Sequence, residues 1–387
     1  MTALAHADRE PAAIRVNLGA IFVSLELSRS KWLITSLSPG FGEKLSKHAV
    51  VGGDATGLLE RLSGLKAKAR TRTGEDYPII VIQEAGLDGF WLHRLLEQEG
   101  FESHVVDAAS ISVPRRKRRA KTDNIDGEML VRTLLAFKRG EPRVCAMVRP
   151  PTPLQEDQRR ISRERKALIT ERVAHTNRIK GLLFAQGAGD YAPERKDRRE
   201  RLEALTTGDG RPLPEHVKRQ IGRELDRLEL LLDHIKTVEA ERDGLLAKEA
   251  ASQTSPAAIL PRMKGIGEEF ASILWLEGLF KSFDNRRQLA AYAGLAPSPW
   301  QSGKINHEQG VSKAGNKRLR QTMIQISWLW LRHQPDQALT LWYQQRVLQD
   351  RRLRKVMIVA LARKLLVALW KYVTTGQVPQ GAQLKAA

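Results

Sequence analysis

The sequence predicts an α/β domain, then a long charged helical hairpin, then a mostly α-helical C-terminal region. Three observations carry this. Apolar runs of strand length, Ile21–Leu27 and Tyr77–Ile82, are interleaved with helix-spaced segments in the first third of the chain. The cluster Pro150-Pro151-Thr152-Pro153 removes amide donors and favours extended backbone, which marks a boundary. Beyond it, charged helical periodicity replaces alternation.

Ile21–Leu27 reads as a central strand, with Lys31–Thr35 as its hairpin partner and a third strand near His48–Val51. Leu58, Leu59, Leu62 and Leu65 set a helical face within Asp54–Ala69. Tyr77–Ile82 is β-branched and apolar throughout, as a strand buried on both faces should be. Residues 89–99 read as helix, Ser103–Val106 as strand and Asp123–Lys138 as helix, which completes an α/β domain over 14–148. In the second part, 154–250, a helix over Leu154–Phe184 is followed by one over Glu215–Lys248. There Ile221, Leu225, Leu228, Leu232 and Ile235 alternate four- and three-residue steps, a heptad seam. The intervening stretch, 187–213, is rich in Gly, Pro, Arg and Asp and reads as an exposed tip. So polar a hairpin suggests pairing with another protomer. In the third part, 256–373, Pro261–Gly267 reads as a helix-hairpin-helix turn whose amides face a phosphate. Residues 294–316 read as polar loop, and 317–373 as helix with Trp328, Trp330 and Trp342 on apolar faces.

With 387 residues and 42% hydrophobic content the chain can bury several cores. Its 64 Lys and Arg outnumber 44 Asp and Glu, giving a formal charge of +20 that favours a polyanion, nucleic acid before an anionic membrane. Cys145 is the sole cysteine, which excludes an intrachain disulfide and a thiolate zinc site within one chain. With no signal peptide and no uninterrupted apolar span, a reducing cytoplasm is the expected compartment. Neither a GxxxxGK[ST] loop nor a GxGxxG turn occurs, which disfavours ATP-driven and nicotinamide chemistry.

Acids stand out against this basic background. Glu26 lies among Phe22, Val23, Leu25 and Leu27, where an unpaired charge would be costly, so it needs the sheet rim, a salt bridge or a metal. Glu84 ends the run Ile79-Ile80-Val81-Ile82-Gln83, the place where α/β sheets present functional groups, or where a strand simply reaches solvent. Asp123 and Asp126 sit three apart at a helix start, able to converge on one cation, although acids suit any first turn and Asp123 any N-cap. Hard carboxylate oxygens facing a polyanion suit Mg²⁺. Just before the pair, Arg115, Arg116, Lys117, Arg118, Arg119 and Lys121 place six cations in seven residues, a loop that phosphates or a partner would neutralise.

Several runs together resemble the insertion sequence 110 transposases. They are Ser24-Leu25-Glu26-Leu27-Ser28, Gln83-Glu84-Ala85-Gly86, Lys121-Thr122-Asp123-Asn124-Ile125-Asp126-Gly127-Glu128-Met129-Leu130, Tyr292-Ala293-Gly294-Leu295-Ala296-Pro297, Gln301-Ser302-Gly303 and Ser312-Lys313-Ala314-Gly315-Asn316. The resemblance implies a RuvC-like domain of ribonuclease H fold joined through a coiled coil to a C-terminal transposase domain. It implies that Glu26, Glu84, Asp123 and Asp126 bind Mg²⁺ (or Mn²⁺), that Ser302 is the nucleophile, and that Lys313, Lys317, Arg318 and Arg320 join the basic loop in binding phosphates. It further implies donor and target DNA and a non-coding bridge RNA as partners, a homo-oligomer between dimer and tetramer, and a place at the bacterial or archaeal nucleoid. Glu26 departs from the family's usual Asp by one methylene.

Overall fold

The computed structural model describes residues 18–40, 44–86, 89–111, 123–142, 144–251, 255–279, 281–302 and 305–385; side chains at 109, 123–125, 299–302 and 305–309 lie outside that description. The chain divides into two compact units, Met1–Pro151 and Thr152–Ala387.

The first unit runs β1 (Ile21–Leu27), β2 (Lys31–Leu37), β3 (Leu45–Val51), α1 (Ala55–Thr73), β4 (Ile79–Glu84), α2 (Trp91–Gln98), β5 (Glu102–Val106), α3 (Asp123–Lys138) and β6 (Met147–Val148). Its single sheet has the order β3-β2-β1-β4-β5-β6. β1, β2 and β3 are antiparallel neighbours, β4 and β5 run parallel to β1, and the two-residue β6, too short to read from sequence, closes the edge antiparallel. Strand parity fixes the layers, because successive side chains leave opposite faces. Ile21, Val23, Leu25, Ile79 and Val81 pack under α1 and α2, against Leu58, Leu62, Leu92 and Leu96. Phe22, Ile80 and Ile82 face the other way, against Leu130, Val131 and Leu134 of α3.

In the second unit α4 (Pro153–Phe184) opens on a capping box: the Thr152 hydroxyl accepts from the Gln155 amide at 3.2 Å, and Gln155 Oε1 accepts from the Thr152 amide at 3.1 Å. α6 (Glu215–Ala250) buries Ile221, Leu225, Leu228 and Ile235 against α4 and the tip, on Leu168, Ile179 and Leu183 among others. The heptad seam is therefore filled within one chain and is not itself a surface awaiting a second protomer. The segment read as an exposed tip is also different from expectation. It holds α5 (Arg198–Glu203) and a Thr206–Pro212 bridge, and it buries Tyr191, Leu202 and Leu213 against the ends of α4 and α6. Its few apolar residues are spread too widely for periodicity to reveal. Arg198 and Arg199 also tie it to Glu229, at 2.9 and 2.6 Å.

The C-terminal part comprises α7 (Pro256–Ile259), α8 (Glu268–Leu274), a π-helical turn (Trp275–Leu279), α9 (Arg286–Tyr292), the hairpin β7 (Pro297–Ser302) and β8 (Ile305–Val311), α10 (Lys317–His333), α11 (Ala338–Gln349) and α12 (Arg354–Thr375). The β7–β8 hairpin replaces an expected polar loop. Its prolines and glycines hid it, and a two-stranded ribbon tolerates them, with the register irregular between Pro297 and Pro299. The helix-hairpin-helix expectation fails. The Lys264 amide donates to the Gln383 carbonyl at 3.1 Å, and α8 starts with Glu268 and Glu269, which would repel a phosphate. Trp330 is fully buried among Leu319, Met323, Ile326, Leu365 and Leu369, whereas Trp328 stands 38% exposed, correcting the apolar face assigned to it. Among the described residues no helix is long and apolar enough to cross a membrane.

The packed tip yields a prediction. Leu202→Ala, at a position 5% exposed, should lower the unfolding free energy by about 2–5 kcal/mol in a denaturant titration, whereas a solvated tip would leave the midpoint unchanged.

Candidate active site

Parity along β1 and β4 carries the acids to one face. Ser24 and Glu26 follow Phe22 on the side covered by α3, and Glu84 follows Ile80 and Ile82 there. The parallel ladder pairs Ser24 with Ile82 and Leu25 with Gln83, so Glu26 and Glu84 lie one step further, at the carboxyl ends of adjacent strands. Glu26 is half-buried and Glu84 exposed.

α3 approaches this face closely at Gly127. The Ser24 hydroxyl donates to the Gly127 carbonyl at 2.8 Å. A Cβ at 127 would lie 2.5 Å from both Glu26 Oε1 and Thr35 Oγ1, inside any real contact distance, so a side chain there would displace both. Asp126, half-buried, precedes that contact in the first turn of α3, and Asp123 begins the helix. The side chain of Asp123 lies outside the described residues, and so do Arg115, Arg116, Lys117, Arg118, Arg119 and Lys121 entirely. The rim of the face is tied by Lys47, whose ammonium sits 2.7 Å from Glu128.

Carboxylate oxygens suit a hard divalent cation, and one of them, Glu26 Oε1, lines the space that a methyl group at 127 would fill. Among the described residues no group of three or more His, Cys, Asp or Glu is close enough to hold a metal, so a full ligand set requires Asp123 or water.

Ser302 ends β7 in register with Ile305, in the other unit; its side chain lies outside the described ones. What fixes the base of its hairpin is well defined. The Ser312 amide donates to the Ala296 carbonyl at 2.8 Å, and that of Asn316 to the Tyr292 carbonyl at 2.7 Å. Gly315, at φ +94°, passes so close that a Cβ would lie 2.4 Å from the Tyr292 carbonyl oxygen. Lys313 is the one non-glycine in left-handed backbone among the described residues, at φ +58°, a strain of about 1 kcal/mol, and Arg320 donates to its carbonyl at 2.6 Å. Lys313 and Lys317 are exposed.

Arg318 faces inward instead. It bonds the Ser162 carbonyl and stands 3.8 Å from Glu277, a residue sequence reasoning missed. Glu277 is 2% exposed in the π-helical turn. Arg163 of α4 grips its carboxylate with two bonds of 3.0 and 3.2 Å, and Asn316, the N-cap of α10, donates a third at 3.1 Å. Burial alone would raise the Glu277 carboxyl, but the bonds and charge of Arg163 and the Asn316 amide hold it below the usual range. The missed signal was the one that singled out Glu26: a lone acid in an apolar run, Trp275-Leu276-Glu277-Gly278-Leu279.

Comparison with known proteins decides the family. Residues 257–342 match the Transposase IS116/IS110/IS902 family, and residues 42–185 match a DEDD transposase family of the IS110 type. The protein y4rJ of Sinorhizobium fredii, named as a transposase, is 68% identical over 385 residues, 97% of each chain. The chain is an IS110-family transposase. The transposase for insertion sequence element IS1328 of Yersinia enterocolitica is 28% identical over 312 residues, 78% of this chain and 85% of that one. That for IS1111A of Coxiella burnetii is 28% identical over 234 residues, 59% and 61%. This transposase therefore carries a RuvC-like DEDD domain, the mixed sheet described above, and a helical C-terminal part; DNA is its partner, and a DEDD domain points to a divalent metal. The DEDD match includes Glu84, Asp123 and Asp126 but begins after Glu26, and the second match includes Ser302.

The buried carboxylate gives the prediction here. Glu277→Gln should cost about 3–5 kcal/mol in unfolding, because Arg163 and Arg318 lose their counter-charge. Because the folded value lies below the ordinary 4.5, the wild-type contribution is fully present above that pH and is lost as pH falls through the folded value. Glu277→Gln should therefore lack this part of the acid limb in stability measured against pH; matching profiles would contradict the assignment.

Proposed function

We propose that the transposase cuts and rejoins DNA with Ser302 as nucleophile and with Glu26, Glu84, Asp123 and Asp126 holding Mg²⁺ or Mn²⁺. The observation that carries this is the shared face: two acids at the ends of adjacent parallel strands, under a helix whose first turn supplies Asp126 beside the Gly127 contact. When bound, the cation supplies positive charge to polarise the scissile phosphate and stabilise its oxygens. Ser302 Oγ attacks phosphorus; the Oγ–P bond forms, one bridging P–O bond to deoxyribose breaks, and the serine proton ends on the departing hydroxyl. The phosphodiester energy is kept in the protein–DNA ester, so a second strand's hydroxyl reverses the step without ATP.

In this proposal the parts divide the work. Residues 14–148 hold the metal, 154–250 form the coiled-coil spacer, and 256–373 carry the nucleophile. The acids and Ser302 that act together come from different protomers of a dimer or tetramer. A non-coding bridge RNA selects donor and target by pairing while the protein contacts backbone and shape. Arg115–Lys121, Lys313, Lys317 and Arg320 meet phosphates; Arg318 keeps its internal role. The work is done at the nucleoid, in the cytoplasm of a bacterium or archaeon.

Suicide DNA substrates incubated with Mn²⁺ test the serine. The wild type should accumulate a covalent adduct, visible as a mobility shift in denaturing gels, and Ser302→Ala should form none and lose strand exchange by at least about a thousandfold. Cleavage by Ser302→Ala at the wild-type rate would assign the attack to water, the chemistry of a junction nuclease.

A further inference from the structure

The C-terminal helices concentrate charge. Residues 317–375 hold twelve Lys and Arg against Asp336 and Asp350, a net +10 and half of the chain's formal +20. Part of this charge surrounds a groove between α10, α11 and the start of α12, lined by Trp328, Arg332, Tyr343, Arg351 and Arg354 among others. Among the described residues no carboxylate lines it. Asp350 is committed to Arg352, accepting from its amide at 2.9 Å and its Nε at 3.4 Å. Among the described residues Arg332, Arg351 and Arg354 form no ion pair, and all three are exposed. The guanidinium of Arg354 lies 5.1 Å from the ring centroid of Trp328, whose indole is 38% exposed.

We propose that this groove binds an unpaired polynucleotide strand, with one base stacked on Trp328 and its flanking phosphates on Arg332, Arg351 and Arg354. Like-charged guanidiniums round a solvent-facing indole repel one another until an anion arrives, which supplies the charge complementarity. The indole decides between strand and duplex. A duplex offers its phosphates but hides its base faces in the stack, whereas an unpaired base presents a π-face, and stacking on aromatic side chains beside a cationic groove is how single strands are held. Binding here requires neither the acids nor Ser302, so the surface stands or falls separately from the catalytic proposal.

Fluorescence anisotropy on the full chain tests it, with labelled oligothymidine, oligouridine and a duplex of equal length. Trp328→Ala should weaken single-strand binding by about tenfold and leave duplex binding unchanged, and Trp328→Phe should restore most of the loss. Arg351→Gln should reduce the slope of log affinity against log salt by about one for the same strands. A stronger effect with oligouridine or with oligothymidine identifies the strand as RNA or DNA. Wild-type single-strand affinity in Trp328→Ala, or an equal loss for strand and duplex, would overturn the proposal. If Trp328→Ala does not fold, an unchanged salt slope in Arg351→Gln overturns it instead.

Discussion

The close approach of α3 to the sheet is the constraint on which the acidic face depends. A helix normally stands off a sheet by the length of its side chains; here the backbone at Gly127 comes within reach of Ser24, Glu26 and Thr35, polar groups on a face otherwise built from Phe22, Ile80 and Ile82. Glycine removes the side chain, the Ser24 hydroxyl bonds the carbonyl, and α3 is pinned at Gly127 against β1 and β2. Apolar packing of Leu130, Val131 and Leu134 further along the helix holds the remainder. Strand parity thus puts Glu26 and Glu84 on the face of the sheet that α3 covers.

A buried carboxylate does a different job in the second unit. Glu277 has the same sequence setting as Glu26, an acid within an apolar run, yet it is enclosed by Arg163, Asn316 and Arg318 and ties the helical hairpin to the base of the β7–β8 ribbon. A carboxylate saturated by internal cations has no capacity left for substrate. Glu26 stands half-buried near the end of β1, beside the strand that ends in the exposed Glu84. Surroundings, not residue type, separate the two acids.

Much of the first unit was legible because its signals are local. The β-branched run at Ile79–Ile82, the hairpin at Ile21–Leu27 and Lys31–Leu37, and α3 over Asp123–Lys138 all follow from periodicity and burial. The face shared by Glu26 and Glu84 needed the register between strands more than fifty residues apart, which no local pattern contains. Structure is hidden from the sequence where few apolar residues act across long separations, as with Tyr191, Leu202 and Leu213 at the tip, or where prolines interrupt a strand, as in the hairpin that carries Ser302. Arg318 shows the same limit, since a basic cluster in sequence does not reveal which cation turns inward to neutralise Glu277. The heptad periodicity marks the apolar seam, but not its partner, which is the chain's own α4 and tip.

The proposed metal site joins acids on two strand ends and one helix start. Titration of the metal-free protein with Mn²⁺, followed by the loss of the free ion's electron paramagnetic resonance signal, tests this most directly. Wild type should remove one tightly held Mn²⁺ per chain, and Glu84→Gln and Asp126→Asn should each weaken that binding by at least about tenfold. Unchanged Mn²⁺ affinity in both variants would contradict the account.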